Sequence, residues 1–260
     1  MRIVWLLISA ALGWWALRPA ARQPVVTLRG RTVIISGEDS AIRRAIAAAF
    51  AARGARVFVA EPDAPPEQVV RDALARFRRL DALVNIAGRG PGGLAVDVDA
   101  AALRAAAEVG LFRAARLTQE SLPVLLRQGR GHIVNVGSVA GNFPTPALAV
   151  ASGLGAGMAA FTDALRREVD DRGVRVSLVL AGEGGAPGAL ADPAPEAAAR
   201  AAVDAVRYGR RTVVAGGGAM GARAAAAQWL ERLAPGLADL YWRWMLTPEV
   251  IARLDDRLTG

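Results

Sequence analysis

The sequence predicts an α/β fold, a doubly wound parallel sheet of about six strands with helices on both faces. Three observations predict it. Short apolar runs alternate along the chain with longer segments of helical periodicity. The runs are continuously apolar rather than alternating, as strands buried on both sides are. Glycine, proline or a polar turn residue separates most of them. At 260 residues the chain is long enough for one sizeable core.

Taken in order, residues 32–36 (TVIIS) read as a buried strand. Residues 42–53 have helical periodicity and end before Gly54, a residue suited to the position just past a helix. Residues 56–60 (RVFVA) are a second strand, 65–79 a helix and 82–86 (ALVNI) a third strand. Residues 100–128 form one long helix or two abutting ones. A fourth strand at 132–136 (HIVNV), a long helix at 148–172 and a fifth strand at 174–180 (VRVSLVL) follow. Residues 195–208 are helical and 211–215 (RTVVA) a last short strand. Residues 182–195 are a Gly/Ala/Pro-rich loop, and 219–258 read as helical with breaks at Pro235 and Pro248. There is no internal repeat. The expected organisation is a hydrophobic leader at 1–22, a sheet domain at 30–217 and a helical extension at 218–260.

Composition removes several chemistries. There is no cysteine, hence no disulfide, thiol nucleophile or cysteine-ligated metal. His132 is the single histidine, which excludes a multi-histidine metal site. All 32 basic residues are arginine, so Schiff-base chemistry and a P-loop lysine are excluded too. The net charge is +8, but the arginines are scattered over helices rather than gathered in one run. That distribution reads as a solvated surface, with anionic lipid headgroups the main alternative and no nucleic acid expected.

Residues 3–17 are uncharged and lie between Arg2 and Arg18. As a helix they span roughly 22 Å, short of a bilayer core of about 30 Å. Trp14 and Trp15 stand where an interfacial belt would be. The run fits a signal anchor, a cleaved signal peptide, or a helix packed on the protein or its membrane surface; the anchor is the expectation, and with it a membrane-associated protein. Near the carboxyl terminus, Trp229, Leu230, Leu233, Tyr241, Trp242 and Trp244 form an aromatic-rich stretch with two readings: core or subunit interface, or monotopic membrane contact.

In a doubly wound sheet, ligands collect at the carboxyl ends of the strands. The first strand ends Ser36-Gly37-Glu38-Asp39-Ser40-Ala41-Ile42-Arg43 and the third Asn85-Ile86-Ala87-Gly88. The fourth runs Ile133-Val134-Asn135-Val136-Gly137-Ser138-Val139-Ala140-Gly141. With Leu122-Pro123, these segments resemble the short-chain dehydrogenase/reductase family over roughly residues 31–215. The resemblance implies a Rossmann-like domain, NAD(P) as cofactor and a Ser-Tyr-Lys catalytic core assisted by Asn. It places cofactor contacts at Gly37, Ser40, Ile42, Asn85, Ala87 and Gly88, and the catalytic hydroxyl at Ser138.

The likeness breaks at several positions. The family's first turn, TGxxxGxG, brings backbone close to the pyrophosphate at a helix N-terminus. Gly37 keeps the first glycine, whereas Ala41 and Arg43 replace the others. The Arg43 charge meets a phosphate only if its side chain swings out. Glu38 and Asp39 put carboxylates beside the expected phosphates, each such contact costing on the order of 4 kcal/mol at about 4 Å and an effective dielectric near 20. The family's tyrosine, lysine and asparagine fall at Ala151, Gly155 and Gly110. The tyrosine is the general acid/base and the lysine lowers its pKa; a serine alone moves no proton usefully. The two tyrosines, Tyr208 and Tyr241, lie far beyond the segment.

Other departures agree. Ala181-Gly182-Glu183-Gly184-Gly185-Ala186 keeps only the glycine of the family's Pro-Gly-hydroxyl stretch. Between Ala60 and Pro66 there is no room for the usual helix and strand lining the adenine pocket, so one edge strand is expected to be missing. Glu61 fits a ribose hydroxyl and points weakly to NAD over NADP. Asn85 fits a strand-tying role as well as cofactor contact, and His132 sits opposite the ligand end. Residues 216–221 (GGGAMG) match GxGxxG but precede no second βα unit, and read as a strand-to-helix turn. Gly153, Gly155 and Gly157 suit close helix–helix contact; in the family this helix and the long one before it build the dimer interface.

The expected function is a catalytically degenerate family member that acts by binding or by homo- or heterodimerisation at a membrane, with NAD(P) binding in doubt. The alternatives are an active NAD(P)-dependent oxidoreductase on a hydrophobic alcohol or carbonyl using non-standard residues, and a ligand or nucleotide sensor without chemistry.

Overall fold

The computed structural model describes residues 26–88, 90–141, 144, 146–182 and 194–215. The leader, the glycine-rich 216–221 segment and the aromatic carboxyl-terminal stretch lie outside these residues, as does most of the 182–195 loop. The described elements are β1 (Thr32–Ser36), α1 (Ala41–Ala51), β2 (Arg56–Val59), α2 (Pro66–Phe77), β3 (Ala82–Ile86), α3 (Ala100–Ala107), α4 (Arg113–Arg127), β4 (Gly131–Ser138), α5 (Ala149–Glu168), β5 (Val174–Ala181), α6 (Pro195–Tyr208) and β6 (Thr212–Val214). The six strands are parallel in the order β2-β1-β3-β4-β5-β6. The order reverses between β1 and β3, which makes their carboxyl ends the switch point. β2 is the edge, as the short Ala60–Pro66 connection implies.

The pleat divides the core. Val33 and Ile35 face one side with Ile46 and Phe50 of α1 and the alanines of α6. Ile34, Leu83 and Ile133 face the other, against Val70 of α2, Leu117 and Leu125 of α4 and Leu165 of α5. Ile46 and Phe50 are fully buried, each worth about 1.5–3 kcal/mol. The α6 face is almost all alanine, so that helix lies close against α1.

Local chemistry sets the ends. The Ser40 side chain accepts from Arg43 N–H and starts α1. Asp99 does the same for α3, accepting from Ala101 N–H and Ala102 N–H. Proline opens α2 and α6, and Gly209, at φ 60°, closes α6. The 100–128 segment is one helical run with a widened π turn at Glu108–Phe112. β4 runs beyond the expected 132–136 because Gly131, Gly137 and Ser138 keep pairing with β5. α5 stops at Glu168, short of the expected 172: Val169 leaves the helical region at φ −121°, and a turn ending at Gly173 (φ 75°) leads into β5. No described helix is long and apolar enough to cross a membrane.

Candidate functional site: a switch point crossed by arginines

The parallel register sets Ser36 beside Asn85 and Asn85 beside Asn135, so the ends of β1, β3 and β4 lie together. Gly37, Ser40, Ala87, Gly88 and Ser138 emerge at this edge. Gly37 has φ 145°, and a Cβ there would lie 2.6 Å from the Ile86 carbonyl, so only glycine fits. Ile42 is partly buried and packs into the α1–α6 core, which assigns its side chain to the fold. Asn85 donates to Asn135 Oδ1 at 2.9 Å, Asn135 to Thr162 Oγ1 at 2.9 Å, and Thr162 to the Met158 carbonyl at 2.7 Å. That chain of bonds ties β3 and β4 to α5, the strand-tying role.

Arg43 does not swing out. It is buried on α1, and Nη1 donates to the carbonyls of Gly37 (3.2 Å) and Ala60 (3.1 Å). Nη2 meets Asp39 at 3.1 Å, and Arg44 meets the same carboxylate at 2.8 Å. The hydrogen bond from Arg43, aided by Arg44, holds Asp39 below the usual carboxylate pKa. Asp39 is thus neutralised by the protein. Glu38 turns the other way: a Cβ on Gly88 would lie 3.1–3.3 Å from its carboxylate atoms.

A second arginine, unmarked by any motif, crosses the switch point. Arg113, at the start of α4, donates to Ser36 Oγ (3.3 Å) and to the carbonyls of Ala64 (3.0 Å) and Glu61 (2.7 Å). Partial burial pulls its pKa down, opposed by Asp63 and Glu108. It occupies the corner the resemblance assigns to adenine, and Glu61 serves there through its backbone carbonyl.

On the catalytic side, Ser138 ends β4 and its Oγ accepts from Ala140 N–H at 3.1 Å. Ala151 is buried in the first turn of α5. A Cβ on Gly155 would lie 2.8 Å from Gly141 Cα and 2.9 Å from Gly141 N. The close approach at Gly155 is therefore made within the chain, to the turn after β4; Gly157 faces Leu111, where a Cβ would be 3.4 Å away, and Gly153 has nothing within 4 Å. Gly90 brings the loop after β3 onto Ala151, 3.5 Å from a Cβ built at 90 to the Ala151 Cα. Gly110 is buried in the π turn, with Ala87 across from it. Of the four positions the resemblance makes catalytic, Gly155 lies against the end of β4, where its Cβ would be 3.4 Å from the Ser138 carbonyl oxygen, and only Ser138 carries a functional side chain.

A parallel sheet of this order with a glycine turn after β1 defines a Rossmann-like α/β scaffold. The comparisons support a short-chain dehydrogenase/reductase family member: the family model described as short chain dehydrogenase matches residues 63–187. It is 29% identical over 192 residues to "Dehydrogenase/reductase SDR family protein 7-like" of Drosophila melanogaster, covering 60% of this chain and 57% of that one. It is 35% identical over 111 residues to "Dehydrogenase/reductase SDR family member 7B" of Danio rerio, covering 43% and 36%. The match thus spans 57% and 36% of the length of these relatives. Among solved structures, the 3-ketoacyl-(acyl-carrier-protein) reductase of Brucella melitensis complexed with NADH superposes with a TM-score of 0.64 at 22% identity, covering 72% of this chain and 97% of that one.

Proposed function

We propose that this chain is a family member without oxidoreductase activity that acts by binding or dimerising at a membrane. One observation carries the reading. The family's lysine position, Gly155, is in backbone contact with Gly141, so the proton-transfer machinery is replaced by packing. Ala151 and Gly110 leave the tyrosine and asparagine roles unfilled. Arg43 and Arg113, bonded across the dinucleotide cleft, support weak or absent NAD(P) binding. The apolar leader and the tryptophan-rich tail of the sequence support the membrane.

The test is calorimetric titration of detergent-purified full-length protein with NADH and NADPH, followed by assay on a panel of ketones, aldehydes, retinoids and steroids. The expected result is no heat up to millimolar cofactor and no turnover. Turnover abolished by Ser138→Ala overturns the reading. A membrane arm compares co-sedimentation with vesicles of the full chain and of a form lacking residues 1–22; equal sedimentation removes the anchor.

A second reading is favoured by the retained Ser138 and by the dehydrogenase/reductase names of the relatives. It is an active NAD(P)-dependent oxidoreductase on a hydrophobic alcohol or carbonyl. The same assay distinguishes the two.

A further inference from the structure

At the opposite end of the sheet, among the starts of β1, β3, β4 and β5, lies a cavity of about 120 Å³. One wall is apolar, formed by Leu28, Val33, Ala82 and Val206. The other is polar and contains more cations than acids: Arg31, Arg130 and Arg175 face a single carboxylate, Asp81, beside His132.

That carboxylate is already committed. Asp81 accepts from Arg31 Nη1 at 2.8 Å, from Thr32 N–H at 2.9 Å and from Arg79. His132 Nε2 is engaged by Ser177 Oγ at 2.8 Å. Neither Arg130 nor Arg175 has a carboxylate partner among the described residues. Arg175 Nη1 is buried without an acceptor. Gly209 seats it: a Cβ there would lie 2.8 Å from Nη1, so the left-handed glycine that closes α6 also makes room for the guanidinium. Arg130 is exposed at the rim. Two guanidiniums without a carboxylate partner at one cavity leave N–H donors for an anion.

We propose that this cavity binds a small carboxylate with a short apolar tail, its oxygens on Arg175 and Arg130 and its tail on Leu28, Val33 and Val206. Size and chemistry both select this ligand. An apolar cavity of about 150 Å³ holds benzene, so a carboxylic acid of four or five carbons matches the volume here. Planar guanidinium suits the two oxygens of a carboxylate. Inorganic phosphate would set polar oxygens against the apolar wall, where nothing bonds them.

His132 lines the cavity and is the only histidine in the chain, so its imidazole gives one assignable resonance. Butyrate titrated into the full-length protein is expected to shift that resonance saturably in the millimolar range. Butyramide, of the same shape and uncharged, is expected to leave it unmoved. Arg175→Gln is expected to weaken butyrate about tenfold or more. Arg130→Gln, which leaves the packing on Gly209 intact, is expected to weaken it in the same direction. No saturable shift with butyrate overturns the proposal. So does an equal response to butyramide, an equal response to inorganic phosphate, or unchanged affinity in Arg130→Gln.

Discussion

Gly155 touches Gly141 backbone to backbone: a Cβ built on Gly155 would fall 2.8 Å from the Gly141 Cα, and one built on Gly141 would fall 2.2 Å from the Gly155 carbonyl carbon. The turn leaving the Ser138 strand therefore lies on α5 where the family carries a lysine. The first prediction pairs two neighbouring glycines. In Gly155→Ala the overlap costs about 1–3 kcal/mol, against a helix-propensity gain of up to about 1 kcal/mol. A net loss of stability is expected. Gly153, on the same helix, has nothing within 4 Å of its Cβ position, so Gly153→Ala is expected to be neutral or to gain up to about 1 kcal/mol. Urea denaturation of both variants checks this, and equal effects would contradict the contact.

The arginine crossing carries the second prediction. Arg43 spans Gly37 and Ala60, and Arg113 spans Ser36, Glu61 and Ala64. Losing the buried Arg43 bonds in Arg43→Gly is expected to cost about 1–3 kcal/mol. Arg43→Gly combined with Arg113→Ala clears the cleft, and calorimetric heat with NADH is expected to appear in the double variant and not in the parent. A parent that binds NADH as tightly as the double variant would show that the arginines are no obstacle.

Much of this was legible in the residues, and the illegible part has a physical cause. β3 and α6 were read at their observed bounds, because a continuous apolar run and a proline at the first helical position are local signals. β4 was read short because Gly131 and Gly137 carry no strand propensity and are held by β5, forty-odd residues on in the register Gly131↔Val174. Gly37, Ser40, Asn85 and Gly88 are visible in the sequence as motif positions, and the structure gives Gly37, Ser40 and Asn85 a role within the fold as well. Arg113 was invisible: its partner Ser36 is 77 residues away, and one arginine in an arginine-rich helix carries no motif. A glycine in a sequence does not say whether a neighbour needs its space or which one does: Gly155 meets Gly141, whereas Gly153 two residues away meets nothing within 4 Å.

Asp81 gives a third prediction. Burial alone would raise its carboxyl pKa, but bonds from Arg79, the Thr32 N–H and Arg31 outweigh that and leave it below the usual value. A carboxyl depressed in the fold stabilises above its unfolded pKa of about 3.9, and the stabilisation is lost as pH falls through the lower folded value. Asp81→Asn is therefore expected to cost about 1–3 kcal/mol at neutral pH. The gap from the parent is expected to shrink below about pH 4. Denaturant unfolding at pH 7 and pH 3 checks it; a gap independent of pH would mean that the charge is not what matters.

The last prediction concerns His132, whose pKa is lowered to about 3, first by burial and then by the nearby Arg175 charge. The Ser177 hydroxyl donates to the Arg210 carbonyl, so the bond between His132 and Ser177 runs from Nε2–H to Oγ, and the lowered pKa keeps the ring neutral at neutral pH. The unfolded chain takes up a proton near pH 6.5 that the folded chain refuses. Stability from this group is therefore fully present above about pH 6.5 and falls as pH drops from there toward 3, by up to about 1.4 kcal/mol per pH unit. This window opens above that of Asp81, so the two separate between about pH 6 and 4. The imidazole resonance of the folded protein is expected to stay in its neutral position down to about pH 4. His132→Gln is expected to flatten the stability slope between pH 6 and 4 while leaving the acid slope of Asp81 in place. A resonance that titrates near pH 6.5 in the folded protein would mean that this ring is hydrated rather than buried.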